Sequence, residues 1–316
     1  MPPATVLPAD TWRIDFGRPS QIKAALLIVG FVATFWTQLA FIPPLGSLVH
    51  AWLYESDWSH GPLIPLFSAY LVYACWDQLR RCPIRLPWVG LPIMVLGLGV
   101  YAWSLSGTLQ FGYARPLSMM ITLLGMIILL CGLRAMYYLW LPWLYLFFAI
   151  PLPQRIYFAL TDPLRRAAAE VATAVMGLFP GVHIERVGSV IEYVYRGQSG
   201  QLGVVDACSG MRSTITLCAI GVAVAFMAER PLWQRLVLVA ACIPIATFCN
   251  FIRVSVTSYL YIFVDPKYAS GQYHAMFGMA VMLLAFGVFS GLAWLLGHLV
   301  VEDDAAGDDA RGPAKA

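Results

Sequence analysis

The sequence carries little charge. Only 12% of its 316 residues are Asp, Glu, Lys or Arg, whereas 60% are hydrophobic and the mean hydropathy is +0.72. A soluble core cannot bury this much apolar surface, so the composition excludes a soluble globular protein. Because lipid satisfies no backbone polar groups, such a chain crosses the bilayer as helices of about 20 apolar residues. We therefore expect an all-α polytopic membrane protein.

The sequence also lacks the patterns that hold metals, disulfide frameworks or nucleic acids. Its seven cysteines include no CxxC pair, and its five histidines form no cluster at metal-ligand spacing, so no metal or other cofactor is predicted. The formal net charge of +3 is ordinary for a membrane protein, so it indicates no nucleic acid partner. Six cysteines lie in or beside apolar runs, where a thiol usually behaves as a small hydrophobe. Cys208 is the exception.

Long apolar runs predict about eight transmembrane helices. They lie near residues 22–46, 60–76, 88–106, 115–132, 135–150, 211–228, 234–254 and 275–299. The N-terminus shows no cleavable signal peptide, so the first run is expected to stay as an anchor. Residues 155–180 are apolar but also carry two acids and several arginines, and Pro163 interrupts them. We expect this stretch to be an amphipathic helix on the membrane surface.

Loop charges orient the predicted spans, because short cytoplasmic loops are enriched in Lys and Arg. The loop around Arg80 and Arg81 and the loop around Arg230 and Arg235 are therefore cytoplasmic, whereas the loop around His60, which has no Lys or Arg, is outside. With eight spans, both termini are cytoplasmic. The sixth and the last span then begin at the outer face.

Two stretches differ from the apolar pattern. Residues 181–207 alternate apolar and polar side chains with Gly punctuation, which predicts a small external β-rich insert. Residues 301–316 contain five acids, two bases and no apolar periodicity, which predicts a disordered cytoplasmic tail. Residues 1–300 are expected to form a single transmembrane domain that contains the insert.

The segment DACSGMRS places Cys208 between the insert and the sixth span. A thiol at a helix start meets unsatisfied backbone N–H groups and the positive end of the helix dipole, and both favour the nucleophilic thiolate. Arg212 adds a positive charge four residues later, and Asp206 can cap the helix or orient a charged partner. Spacing alone leaves an inert helix-start cysteine as the alternative.

The next two spans supply further reactive groups. Asn250 and Arg253 lie three residues apart on one face of the seventh span, and Arg253 falls at its outer boundary, roughly 30 Å along the helix. His274 begins the last span, also at the outer face. A headgroup anchor explains Arg253 alone, and a helix-helix hydrogen bond explains Asn250 alone. Together with Cys208, they suffice for thiolate attack on a peptide carbonyl, with His274 as general acid and base and Arg253 stabilising the oxyanion.

His60 lies in the segment SHGPLIPLFSAYLVY, beside the second span. It is predicted outside, where it either lines the site or sits at the membrane interface with Trp52 and Trp58.

At these residues the sequence resembles the exosortase and archaeosortase family. The resemblance rests on DACSGMRS, on NFIRV and on His274 ahead of the final span, with a weaker likeness in SHGPLIPLFSAYLVY, and it touches much of residues 55–295. Carried over by position, it implies Cys208 as catalytic nucleophile, Arg253 as catalytic arginine and His274 as catalytic histidine.

The resemblance also implies a substrate and a location. The enzyme would lie in a bacterial inner membrane, with its active site on the periplasmic face. Its substrates would be exported proteins with a PEP-CTERM tail, which is a Pro-Glu-Pro motif, a transmembrane helix and a basic end. It would cleave near the motif through an acyl-enzyme and pass the protein to an unknown acceptor, in connection with exopolysaccharide production.

Two alternatives stay open. In the first, water resolves the acyl-enzyme, and the protein is a plain membrane cysteine protease. In the second, the protein is a transporter or polysaccharide-export component in which Asn250 and Arg253 bind a ligand and Cys208 is incidental. The sequence shows no repeat of broken spans, which many transporters have.

Overall fold

The computed structural model describes residues 18–40, 47–84, 86–106, 113–203, 211–227, 230–269 and 271–299. The described residues group into two compact units, one within residues 1–158 and one within residues 159–316. Asp206, Cys208 and the predicted tail at 301–316 lie outside the described residues. The single domain over residues 1–300 stays a prediction.

Helices make up most of the described chain. In chain order they are α1 Arg18–Thr34, α2 Trp36–Leu39, α3 Leu48–Tyr54, α4 Leu63–Ala74, α5 Trp76–Arg81, α6 Gly90–Leu105, α7 Ala114–Cys131, α8 Met136–Tyr145, α9 Gln154–Met176, α10 Met211–Met227, α11 Leu232–Tyr259 and α12 Gly271–Leu299. Local chemistry sets several boundaries. Ser47 caps α3 by accepting a hydrogen bond from the backbone N–H of His50 at 3.1 Å. Gly132, with φ 82°, ends α7.

Four described stretches are long and apolar enough to cross a bilayer. They are Pro87–Leu105, Ala114–Cys131, Leu232–Val264 and Gly271–His298. A fifth span results if Leu133–Ala149 and Gln154–Met176, which are bent by 76° relative to each other, form one broken span. Gln21–Thr34 and Met211–Met227 are shorter apolar helices. The structure is thus that of a polytopic helical membrane protein with four or five candidate spans, and the count of eight stays a prediction.

In the first unit, α6 and α7 pack in close contact. A Cβ atom added at Gly97 of α6 would overlap with Oγ1 of Thr122 and lie 2.7 Å from its backbone nitrogen. Gly90 and Gly125 face each other's helix backbone in the same way. Small residues at such positions let helix backbones approach closely, which is a common means of association in membranes.

In the second unit, α10, α11 and α12 surround one apolar cluster. Its buried members are Leu217, Ala225, Leu238, Cys242, Ala246, Cys249, Ala285, Phe289, Ala293 and Leu296. A Cβ atom added at Gly221 would overlap with Sγ of Cys242 and lie 3.3 Å from the ring of Phe289. The missing side chain at Gly221 therefore allows the three helices to meet.

The stretch with alternating polarity folds as three antiparallel strands, β1 Val182–Val187, β2 Val190–Tyr195 and β3 Gln198–Gly203, in the order β1-β2-β3. Two-residue connections join them. In the second, Arg196 and Gly197 have φ values of 50° and 78°, which is the backbone shape of a type I′ hairpin turn. One face of the sheet is apolar and buried, with Ile191 of β2 paired to Leu202 of β3.

Helix α9 packs on this buried face. Ala168, Ala169 and Ala172 form a cluster with Ile191 of the sheet and Val254 of α11. The amphipathic pattern predicted a helix on the membrane surface. In the structure the small-residue face of α9 is buried on protein, and its position at the membrane surface stays a prediction.

The glycine contact between α6 and α7 gives a matched test. We expect Gly97→Ala to lower the free energy of unfolding by about 1–3 kcal/mol, because the added methyl overlaps with Thr122. Gly99 lies on the same helix with nothing within 4 Å of an added Cβ, so Gly99→Ala should cause no loss. Thermal unfolding of both variants in detergent measures the difference. Equal stability of the two would contradict the close approach.

Candidate functional site

Helix α11 carries two of the predicted site residues, Asn250 and Arg253. The side chain of Asn250 is 6% exposed, and its Oδ1 accepts no hydrogen bond within the described part of the chain. Arg253 is half-buried. A buried amide oxygen without a donor costs free energy unless something else binds it, so Asn250 marks a polar position inside an apolar region.

The guanidinium of Arg253 lies against α12. A Cβ atom added at Gly278 would be 3.5 Å from Nη2 and 3.6 Å from Cζ of Arg253. Gly278 comes four residues after His274, which is the fourth residue of α12, so both positions lie on one face of that helix. The structure thus brings Arg253 to the helix face on which His274 is placed.

The chain around Cys208 is flanked by two described residues. Gly203 ends β3, whose sheet is packed on α9 and α11, and Met211 is buried at the start of α10. Arg212 is exposed in the first turn of α10. Its predicted proximity to Cys208 stays a prediction, because Cys208 and Asp206 lie outside the described residues.

His60 is buried in the first unit and has a visible structural task there. Its Nε2–H donates a hydrogen bond to the carbonyl oxygen of Phe148 at 3.2 Å, and Nε1–H of Trp52 donates to the carbonyl oxygen of Ala149 at 2.7 Å. These carbonyls belong to the last turn before the chain bends into α9, where a helix leaves its final carbonyls without intrahelical partners. A role for His60 in the reaction stays a prediction.

Asp265 fixes the short connection between α11 and α12. One of its carboxylate oxygens accepts a hydrogen bond from the backbone N–H of Lys267 at 2.9 Å, and the other lies 3.3 Å from Nζ of Lys267. The backbone N–H of Lys267, and then its ammonium group, lower the pKa of the Asp265 carboxyl below its ordinary value. This connection separates Arg253 from His274 along the chain.

Basic and amide side chains hold the opposite ends of α11 and α12 together. Nη1 of Arg230 donates to the carbonyl oxygen of Ala293 at 2.9 Å, and Nε2 of Gln234 donates to that of Leu296 at 3.2 Å. The two helices are therefore antiparallel and joined at both ends. Arg230 lies at one end of this helix pair, and Arg253 lies toward the other end, where α11 is followed by α12.

A family model of transmembrane exosortases matches residues 52–291 of the chain. The chain belongs to the transmembrane exosortase family. This confirms the resemblance that DACSGMRS, NFIRV and His274 indicate. All the sequence-predicted site residues, from His60 to His274, fall inside the exosortase match. Neither the curated proteins nor the solved structures contain a significant match.

Two further residues of the second unit have environments that the sequence alone does not show. Gly278 contacts Arg253, and the signal that would have found it is its spacing of four residues from His274. Arg165 belongs to an amphipathic pattern that predicts a solvated side chain, yet it is buried at 9% exposure. A charge on the buried stripe of a helix becomes visible only when the neighbouring elements are known.

The contact of Arg253 with Gly278 gives a test of the site. We expect Gly278→Leu to displace the guanidinium and to slow processing of a sorting-signal substrate on the order of tenfold to 100-fold. Gly287→Leu is the matched control, because Gly287 lies on the same helix with open space around it. Rates are compared at equal amounts of folded protein in the membrane. Equal activity of the two variants would contradict the placement of Arg253.

The connection at Asp265 has a defined pH dependence. Because its folded-state pKa is lowered, the carboxylate stabilises the connection fully above its unfolded pKa of about 3.9, and this stabilisation is lost as pH falls through the lower folded value. We expect Asp265→Ala to speed exchange of the Lys267 amide at neutral pH. Asp265→Asn should keep most of the protection, because its amide oxygen still accepts the hydrogen bond. Peptide-level hydrogen exchange checks both, and unchanged exchange in the Ala variant would refute the hydrogen bond from Lys267 to Asp265.

Proposed function

We propose that this exosortase-family protein is a membrane cysteine peptidase and transpeptidase. It cleaves C-terminal sorting signals of the PEP-CTERM type from exported proteins and holds the product as an acyl-enzyme on Cys208. Family membership supports the substrate class. The observation that carries the assignment of residues is the guanidinium of Arg253 against Gly278, on the helix face that also holds His274.

The proposed chemistry needs three groups. The thiolate of Cys208 attacks the carbonyl carbon of the scissile peptide bond, and Arg253 stabilises the oxyanion of the tetrahedral intermediate. The C–N bond then breaks, and His274 donates a proton to the leaving amine, so a thioester remains on Cys208. An acceptor nucleophile or water loses a proton to His274 and attacks the thioester carbon. The C–S bond then breaks, which regenerates the thiolate of Cys208 and the protonated His274.

The supporting residues take secondary roles in this proposal. Arg212 and the start of α10 favour the thiolate of Cys208, and Asp206 caps the helix or orients a charged partner. Asn250 supplies a buried acceptor one turn from Arg253. His60 supports the first unit through Phe148.

We further propose a location in the bacterial inner membrane, with eight spans, cytoplasmic termini and the sheet and reacting groups on the periplasmic side. The charge distribution of α11 and α12 favours this orientation. Arg230 and Arg235 lie at the end opposite Arg253, and basic residues concentrate on the cytoplasmic side of membrane proteins. With that end inside, Arg253 and His274 face the periplasm.

Replacement of the nucleophile tests the assignment. We expect Cys208→Ala to reduce processing of a PEP-CTERM substrate by about 1,000-fold or more, and Cys208→Ser to do nearly the same, since a hydroxyl is a far weaker nucleophile here. Cys75→Ala is the control, because Cys75 lies in the first unit and donates to the carbonyl oxygen of Val72. Normal processing by the Ala variant would refute the peptidase and leave the transporter or export component.

Mass spectrometry of the processed substrate separates transfer from hydrolysis. A new C-terminus joined to an amine or sugar acceptor supports the transpeptidase. A free carboxylate as sole product replaces it with the plain protease, while leaving Cys208 as nucleophile.

A further inference from the structure

Arg165 is a buried cation with a weak partner. Its residue exposure is 9%, and it lies at the centre of the α9 stripe that also contains Thr161, Ala168 and Ala172. Within the described ranges, its Nε donates no hydrogen bond. Nη1 lies 3.7 Å from the carboxylate of Asp162, which is half exposed. That distance is too long for a hydrogen bond, and the solvent around Asp162 weakens its attraction to Arg165.

Arg165 lies on the face of α9 whose alanines share a cluster with α11. Ala168 and Ala172 share a cluster with Val254, and Phe179, beyond the end of α9, packs on Tyr259 with ring centroids 5.3 Å apart. Helices α9 and α11 therefore run parallel to each other. Arg165 is about one turn before the alanines, as Asn250 is about one turn before Val254. Both therefore fall at one level of the second unit.

These two side chains have complementary needs. Nε of Arg165 is a buried donor without an acceptor, and Oδ1 of Asn250 is a buried acceptor without a donor, both judged over the described residues. A buried donor or acceptor without a partner destabilises the fold, and arginine binds carboxylates through paired N–H groups. A ligand that brings one carboxylate and one N–H would satisfy both.

We propose that Arg165 and Asn250 form a substrate-binding subsite, in which the guanidinium of Arg165 binds the glutamate of the Pro-Glu-Pro motif and Oδ1 of Asn250 accepts its backbone N–H. This rests on the function proposed above. Proline has no N–H, so the glutamate supplies the single backbone donor of the motif as well as its single carboxylate. The residue before a proline also favours extended backbone, which presents both groups without further ordering.

The subsite is tested by binding, which does not depend on cleavage. Cys208→Ala protein in nanodiscs is titrated with a fluorescent sorting-signal peptide that contains Pro-Glu-Pro or Pro-Gln-Pro. We expect Arg165→Gln to weaken binding of the glutamate peptide about tenfold or more, and Glu→Gln in the peptide to do the same. The two changes together should weaken binding no further than either alone. Arg165→Lys should recover part of the loss, because it restores the charge but not the paired geometry.

Matched controls come from the same two helices. Arg166 is the exposed neighbour of Arg165, so Arg166→Gln should change binding less than about twofold. Ser258 of α11 is buried, and its Oγ has no partner among the described residues. Ser258→Ala is therefore the control for Asn250→Ala, because both variants lose a buried polar group. Only Asn250→Ala should weaken binding.

Three outcomes would overturn the subsite. Additive losses from Arg165→Gln and the glutamine peptide would make Arg165 a structural residue. Losses that disappear in nanodiscs without anionic lipid would assign its anion to a lipid headgroup. Unchanged binding in Arg165→Gln would show that Arg165 does not contribute to peptide binding. Each is separate from failure of the peptidase, which shows as processing by Cys208→Ala.

Discussion

The second unit depends on the packing of one helix, α11, against two different apolar clusters. Toward α10 and α12 it presents Cys242, Ala246 and Cys249, and toward α9 and the sheet it presents Val254. Asn250 and Arg253 lie on the helix between these contacts. Rotation of α11 would break its packing in both clusters. Asn250 and Arg253 are therefore held inside the unit and do not turn toward lipid.

Hydrophobic periodicity predicted several elements of this arrangement, because a bilayer requires long apolar runs. Apolar runs of the right length foretold the stretches at α6, α7, α11 and α12, and Gly-punctuated alternation foretold strands between residues 182 and 203. The motifs DACSGMRS and NFIRV, together with His274, indicated the family. Each of these signals lies within one short stretch of sequence, so it can be read without knowing which elements are in contact.

The remaining features depend on which elements meet. Gly278 is one of several glycines in α12, and only the approach of Arg253 distinguishes it from Gly287. Arg165 has the composition of a solvated residue until Ala168 and its neighbours are seen to pack on protein. The hydrogen bond of His60 to Phe148 is equally invisible in the sequence, because the two residues are 88 positions apart. Long-range pairing of this kind leaves no periodic trace.

The bend before α9 also constrains how the protein is made. Its last carbonyls, at Phe148 and Ala149, receive hydrogen bonds from His60 and Trp52, which are 88 and 97 residues earlier in the chain. At about 5–20 residues per second, the donors leave the ribosome about 5–20 seconds before their acceptors exist. During that interval both donors need water or another temporary acceptor, while the five helices from α4 to α8 are synthesised. The carbonyls of Phe148 and Ala149 can accept these hydrogen bonds as soon as they are synthesised. If synthesis stops before that point, His60 and Trp52 have no such acceptors.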